Sequence, residues 1–325
     1  MNAVDFLIET TPDAWVQDAI YKADMQIKRH NKIACSISGG SDSDIMLDLL
    51  HTLDPEKKIT YIWFDTGLEY EATKRHLKEL EQKYDIEIVP LKAKKPIPTA
   101  VREYGVPFLS KQVSERIARL QRHNFQWEDE PLDVLLKKYP KCRLALRWWC
   151  NDFGEKSKFN ISYNTWLKEF LIQNPPTFRI SNRCCDFAKK SVAKDYIENG
   201  EFDLSCVGVR KAEGGARSSA YKNCFTPSEC GKVAQYRPLF WFDKNSKEIY
   251  KYHHEIKYSD CYEIWGLDRT GCAACPFGKN FEFELECIEK YEPKFYKAVY
   301  KIFGASYEYT RKYREFQQTM KAKAG

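Results

Sequence analysis

Ser38-Gly39-Gly40-Ser41-Asp42-Ser43 lies between the apolar run Lys32-Ile33-Ala34-Cys35-Ser36-Ile37 and a second run, Ile45-Met46-Leu47-Asp48-Leu49-Leu50-His51-Thr52-Leu53. The first run has the length and β-branched content of a buried strand, whereas Ile45, Met46, Leu49, Leu50 and Leu53 recur at helical spacing. The glycines therefore occupy a strand-to-helix turn. Adjacent glycines let backbone amides approach a ligand, the hydroxyls of Ser38, Ser41 and Ser43 add donors, and the new helix presents its positive end. This is an anion cradle, most naturally for phosphate. The lysine of a Walker-type GxxxxGK(S/T) loop is absent and Asp42 is present instead. A carboxylate beside phosphates is repelled unless a cation lies between them, so Asp42 points to Mg2+ bound with a nucleotide. The plainer alternative is a tight turn with a Ser/Asp helix cap.

Working outward, Ile59 to Phe64 reads as a second buried strand ending in Asp65-Thr66-Gly67, and Ile86 to Leu91 as a third. Between them, Glu71 to Tyr84 has the charge density and the Leu77/Leu80 spacing of an exposed helix. This alternation predicts an α/β fold with a doubly wound parallel sheet, whose ligands sit at the carboxyl ends of strands. Residues 1–31 read as a helical segment in which Trp15, Ile20, Met25 and Ile27 pack. From Lys92 to Ile180 the pattern becomes basic and aromatic and reads as a helical insertion, with Trp148 and Trp149 as packing residues. Asp203 to Val209 resumes the sheet as a fourth strand and delivers Arg210, Lys211 and Arg217 to its carboxyl end, where cations can meet phosphate or sulfate. Beyond Trp241 the chain is charged and tyrosine-rich and closes with helices over Pro293 to Phe303 and Tyr307 to Lys323. A solvated amphipathic cap is the safer reading there, with a nucleic-acid surface as the alternative.

The 325 residues are 43% hydrophobic, ample for a core, and the net charge of +6 is too small to demand a nucleic-acid partner. Met1 to Leu7 lacks the basic and apolar regions of a signal peptide and no later run is long enough to span a membrane, so a cytoplasmic protein is expected. Twelve cysteines in such a protein point to metal or sulfur chemistry rather than to disulfides. Cys272-Ala273-Ala274-Cys275 is a CxxC, whose spacing lets two thiolates meet one metal centre, and the vicinal Cys184-Cys185 can supply two more. Adjacent side chains on a helix diverge. A cubane accepts ligands arriving from different directions better than a single tetrahedral Zn2+ does, which favours [4Fe-4S] over zinc. Vicinal cysteines can also be packing residues and an isolated CxxC a redox dithiol. Cys35, Cys142, Cys150, Cys206, Cys224, Cys230 and Cys261 are read as structural.

Taken together, Ser38 to Ser43, Phe64-Asp65-Thr66-Gly67, Cys184-Cys185 with Lys189, Gly208-Val209-Arg210-Lys211 with Arg217, Tyr236-Arg237-Pro238-Leu239 and Arg269 to Pro276 resemble, in order, the phosphoadenosine phosphosulfate (PAPS) reductase-like family of PP-loop proteins. The resemblance covers roughly residues 30 to 280, apart from the insertion. It implies a Rossmann-like PP-loop domain over 32–240 with the insertion at about 92–180, flanked by the segments 1–31 and 241–325. The separation of the two cysteine pairs resembles that in the cluster-bearing branch, the adenylyl-sulfate reductases and DNA phosphorothioation enzymes. That implies [4Fe-4S] ligands at Cys184, Cys185, Cys272 and Cys275, with Lys189 near the thiolates. It implies nucleotide contacts from Ser38, Gly39, Gly40, Ser41, Asp42, Ser43, Asp65, Thr66, Gly67 and Lys211, and Asp42, Ser43, Arg210 and Arg217 as catalytic residues.

Two departures bear on activity. The family's reductases carry a nucleophilic cysteine in a terminal Glu-Cys-Gly-x-His segment, but the tail after Phe303 contains no cysteine. Glu286-Cys287-Ile288-Glu289 reads more naturally as a buried helix cysteine. The loop also keeps Asp42 and Ser43, which points to ATP rather than to a sulfonucleotide. The expected activity is adenylation of an acceptor from Mg-ATP with pyrophosphate release, linked to sulfur transfer. The alternatives are sulfonucleotide reduction with sulfite release, and a non-catalytic nucleotide-sensing subunit that binds nucleic acid. A sulfur- or electron-donor protein and further copies of the chain are the remaining possible partners. Ala188 replaces the family's arginine before Lys189, which loosens the assignment of that lysine.

Overall fold

Six strands form one sheet in the computed structural model, which describes residues 2–214, 220–229 and 233–324. They are β1 (Ile33–Ile37), β2 (Ile59–Asp65), β3 (Ile88–Lys92), β4 (Leu204–Val207), β5 (Phe225–Thr226) and β6 (Ala234–Tyr236), in the order β3-β2-β1-β4-β6-β5. All pairings are parallel except β5 with β6. The doubly wound α/β sheet expected from the alternating pattern is present. Strand order reverses at β1, whose register pairs Ser36 with both Ile62 and Val207. The carboxyl ends of β1, β2 and β4 therefore emerge together, at the kind of switch point where open sheets of this type take ligands.

The strand ends have local causes. The third strand starts two residues later than its apolar run because Asp85 adopts a left-handed conformation (φ 49°), and the Ile86 amide still donates to Glu81 O at 3.2 Å. The fourth stops at Val207, where the Val209 amide turns back onto Val207 O at 3.0 Å. Strands β5 and β6 span two and three residues, too short to leave a periodic signature.

The chain divides into two units, Met1–Lys94 with Ala188–Ala273, and Lys95–Phe187 with Ala274–Gly325. The first holds the sheet. One sheet face is covered by the helices Ala14–Arg29 and Ser41–Thr52 through a core that includes Val16, Ile20, Ile45, Met46, Leu49 and Leu50. Trp15 and Met25 depart from the expected packing role. Trp15 is 51% exposed and stacks on Trp241 with ring centroids 6.0 Å apart. Helix Glu71–Tyr84 also departs from expectation: its face of Ala72, Thr73, His76, Leu77 and Leu80 is buried, so only the opposite face is solvated.

In the second unit, Phe108, Leu146, Trp148, Trp149, Phe170 and Leu171 are buried with Tyr309 and Tyr313. Trp148 and Trp149 are packing residues, as read from the sequence. The two expected C-terminal helices are one helix, Pro293–Ala324. Gly304 does not break it. A side chain there would come within 3.2 Å of the Tyr300 ring, and the next turn is fixed by Ser306, whose hydroxyl donates to Pro107 O. Among the described residues no helix is long and apolar enough to cross a membrane.

Phe170 is fully buried against Tyr309, Tyr313 and Phe316, with centroid separations of 5.0, 5.2 and 5.6 Å. Phe170→Ala is expected to destabilise the protein by about 3–5 kcal/mol in urea unfolding, through lost burial and the cavity left behind. A change under about 1 kcal/mol would contradict this packing.

Candidate functional site

The turn after β1 is built by residues that the sequence marked. Gly39 has φ +64°, and a Cβ there would lie 2.8 Å from the Thr73 methyl, so both the conformation and the close approach require glycine. Ser43 braces the turn from inside the helix. Its hydroxyl accepts from the Ser38 and Gly40 amides at 3.2 and 3.1 Å and donates to Gly40 O at 2.7 Å. Two loop amides are thus satisfied internally. Gly40 is overlaid by Tyr262 and Thr270, whose hydroxyls would stand 3.1 and 3.2 Å from an added Cβ, and these hydroxyls lie 3.1 Å apart.

Asp42 opens the helix and faces cations. Its Oδ1 receives Arg210 Nε at 2.9 Å and Lys247 Nζ at 2.8 Å, and Lys247 also donates to Ser41 Oγ at 2.5 Å. Without a nucleotide bound, the charge of Asp42 is thus met by two protein cations. The Gly208 Cα approaches the Asp42 backbone closely enough that a Cβ would make ordinary contact at 3.6 Å, so β4 packs directly on the loop. Lys211 points elsewhere, with Nζ 4.7 Å above the Trp241 ring. Arg217 lies outside the described residues.

The β2 end supplies a second turn. The Gly67 amide donates to Asp65 Oδ1 at 3.1 Å, and Gly67 has φ +78°. Buried Glu69 gathers the Thr66 and Leu68 amides at 2.9 and 3.0 Å together with the Thr66 hydroxyl. Cys272 joins this turn, its sulfur 3.9 Å from Thr66 Oγ1, and the Ala273 amide donates to Leu68 O at 3.0 Å.

The other candidate ligands belong to the second unit. Cys184 is buried and Cys185 partly exposed on the short helix Arg183–Cys185, which runs into a π-helical turn, Asp186–Lys190, that carries a half-exposed Lys189. Near Cys275, Tyr307 donates to Ala274 O at 2.6 Å. Four thiols have the soft-donor chemistry of an iron–sulfur or zinc site. Among the described residues, however, no three His, Cys, Asp or Glu side chains gather as a metal site, so no chemistry is derived through a cluster. Cys287 is buried within helix Phe281–Tyr291, and burial followed by the charges of Glu286 and Glu284 pushes its thiol up, which is the opposite of what a nucleophile needs.

Several residues around the loop carry no motif in the sequence: Lys247, Glu69, Tyr262 and the pair Asp44–His76; Thr270 lies in the Arg269 to Pro276 stretch but was given no role. Asp44 and Asp48, which bracket the apolar Ile45-Met46-Leu47, are the available signal for buried carboxylates. Asp48 accepts from the hydroxyls of Tyr84 and Tyr250, each at 2.8 Å. Asp44 Oδ2 meets His76 Nε2 at 2.7 Å in the buried interior. Burial alone would lower the His76 pKa, but the hydrogen bond and charge of Asp44, aided by Glu79, more than offset it and the value is raised.

Comparison with known proteins gives the following. Residues 32–144 match the phosphoadenosine phosphosulfate reductase domain. An uncharacterized protein of Methanocaldococcus jannaschii is 24% identical over 286 residues, covering 86% of this chain. The chain spans only 42% of that protein's length. Among solved structures, PAPS reductase from Candida auris is 11% identical, with 77% of this chain and 87% of that one covered and a TM-score of 0.41. The FMN adenylyltransferase of Candida glabrata, in complex with FMN and an ATP analogue, is 8% identical (83% and 69% covered, TM-score 0.44). The U34-tRNA thiolase of Methanococcus maripaludis, with its [4Fe-4S] cluster, is 14% identical (93% and 80% covered, TM-score 0.38).

Two outcomes follow from the geometry. Gly39→Ala imposes a left-handed alanine as well as the Thr73 contact, and is expected to cost at least about 1–2 kcal/mol in chemical unfolding; an unchanged midpoint would contradict the turn. Because folding raises the His76 pKa, the stability this pair adds is fully present below about pH 6.5 and is lost as pH rises through the raised value. The difference in unfolding free energy between the wild type and His76→Gln is thus larger near pH 6 than near pH 9, and a flat difference would contradict the pairing.

Proposed function

We propose that this chain, whose residues 32–144 match the phosphoadenosine phosphosulfate reductase domain, is a PP-loop enzyme that binds an adenine nucleotide, ATP with Mg2+, and adenylates an acceptor. The observation that supports this reading most is the pairing of Arg210 and Lys247 on Asp42 at the first turn of helix Ser41–Thr52. Positive charge is concentrated beside a glycine turn whose helix N-terminus already favours anions.

Ser38, Gly39, Gly40 and Ser41 would line the polyphosphate, with Ser43 holding the turn in shape and Asp65, Thr66 and Gly67 flanking the nucleotide from the β2 end. An acceptor oxygen attacks the α-phosphorus, the bond to the bridging oxygen breaks, and pyrophosphate leaves with that oxygen while the acceptor's proton passes to water. Arg210, with Arg217, offsets charge as it moves onto the departing pyrophosphate; such preorganised positioning and neutralisation is the main contribution a protein makes to this class of reaction. Hydrosulfide then attacks the activated centre and AMP departs, a substitution that needs no reductant. Mg2+ supplies charge neutralisation when bound with ATP. Cys184, Cys185, Cys272 and Cys275 are the proposed ligands of a [4Fe-4S] cluster on sequence spacing and thiol chemistry, with Lys189 and Lys211 as outlying cations. The buried position of Cys287 weighs against sulfonucleotide reduction by this chain's own thiol.

Incubation with ATP, Mg2+ and candidate acceptors is expected to release pyrophosphate. Sulfite release from PAPS or adenylyl sulfate, with no pyrophosphate from ATP, would overturn the reading. Anaerobic purification is expected to yield about four iron and four sulfide per chain, and a colourless protein with one zinc would overturn the ligand assignment.

A further inference from the structure

We propose that Lys247 is the phosphate-binding lysine of this loop, supplied from 206 positions beyond Ser41 rather than from within the motif. The inference rests on the nucleotide reading of the loop given above and assigns it a residue that no motif marks.

A Walker-type loop carries its own lysine; here the loop has none. Helix Lys244–His253, N-capped by Asp243 through the Ser246 amide at 2.8 Å, brings Lys247 to the same place in space. Its ammonium bonds both Ser41 Oγ and Asp42 Oδ1, with only 12% of its side chain exposed. Arg210, 14% exposed, shares that carboxylate oxygen. Two cations and a helix N-terminus thus face one carboxylate. The other carboxylates around Arg210 are committed to backbone amides: Asp243 caps the lysine-bearing helix and Glu213 accepts from the Arg210 amide at 3.1 Å. Both cations therefore converge on one carboxylate oxygen beside the glycine turn. A phosphate or pyrophosphate oxygen takes over the bond that Lys247 makes to Asp42, so that one ion pair replaces another and little desolvation is added. Asp42 holds the two cations extended in the free protein, which removes side-chain ordering from the cost of binding.

Calorimetric titration of the full-length protein with inorganic pyrophosphate, and separately with AMP, tests this. The wild type is expected to bind pyrophosphate, Lys247→Met to bind it at least about tenfold more weakly, and Lys247→Arg to recover most of the loss. AMP affinity is expected to stay within about twofold in all three. Lys247→Gln keeps a donor to Ser41 and Asp42, and it is expected to melt with the wild type while losing pyrophosphate affinity as Lys247→Met does. Pyrophosphate affinity in Lys247→Met or Lys247→Gln within about twofold of the wild type would overturn the assignment while leaving the nucleotide reading standing. Absence of pyrophosphate and ATP binding in the wild type would overturn both.

Discussion

The architecture of the site depends on one backbone constraint: the chain must leave β1, reverse into a helix and pass against Thr73 without a side chain at position 39. Only glycine satisfies both the positive φ and the 2.8 Å approach. Ser43 then locks the turn by bonding two of its amides and one of its carbonyls. Because Ser36 of β1 is in register with Val207 of β4, the same turn meets the segment that carries Arg210. A strand register and one glycine thus fix where the first turn of helix Ser41–Thr52 points and which cation reaches it.

Charge is handled differently on the two sides of that helix. On the inner side Asp44 and Asp48 are buried and each is fully committed, to His76 and to the hydroxyls of Tyr84 and Tyr250. A buried carboxylate without such partners would be strongly destabilising. On the outer side Asp42 is partly exposed and carries two cations, which is more positive charge than it needs. The inner arrangement is structural in character, since each carboxylate is held by buried hydrogen bonds. The outer one sets two cations on a single partly exposed carboxylate beside a helix N-terminus, where an anion can compete for them.

Much of this was legible in the sequence, because the central strands β1 and β4 are buried nearly throughout and read as apolar runs, and the glycine turn sits between a strand pattern and a helix pattern. What escaped was whatever depended on long-range approach. Lys247 lies on a helix with Lys244, Glu248 and Lys251, where one more charge looks like solvated surface. His76 is embedded in a segment dense with lysine and glutamate, and only the fold shows which face of it is buried. Glu69 is one acidic residue after a glycine turn, and its capture of the Thr66 and Leu68 amides has no signature in spacing. The C-terminal helix continues through Gly304, a residue that propensity disfavours in a helix interior, because packing of the following turn carries it through.

The most direct measurement is a crystal structure of the protein with Mg2+ and a non-hydrolysable ATP analogue. The account predicts polyphosphate oxygens against the Ser38–Ser43 turn, with Arg210 and Lys247 turned from Asp42 onto them. A nucleotide bound away from that turn, or one bound there with both cations still on Asp42, would contradict it.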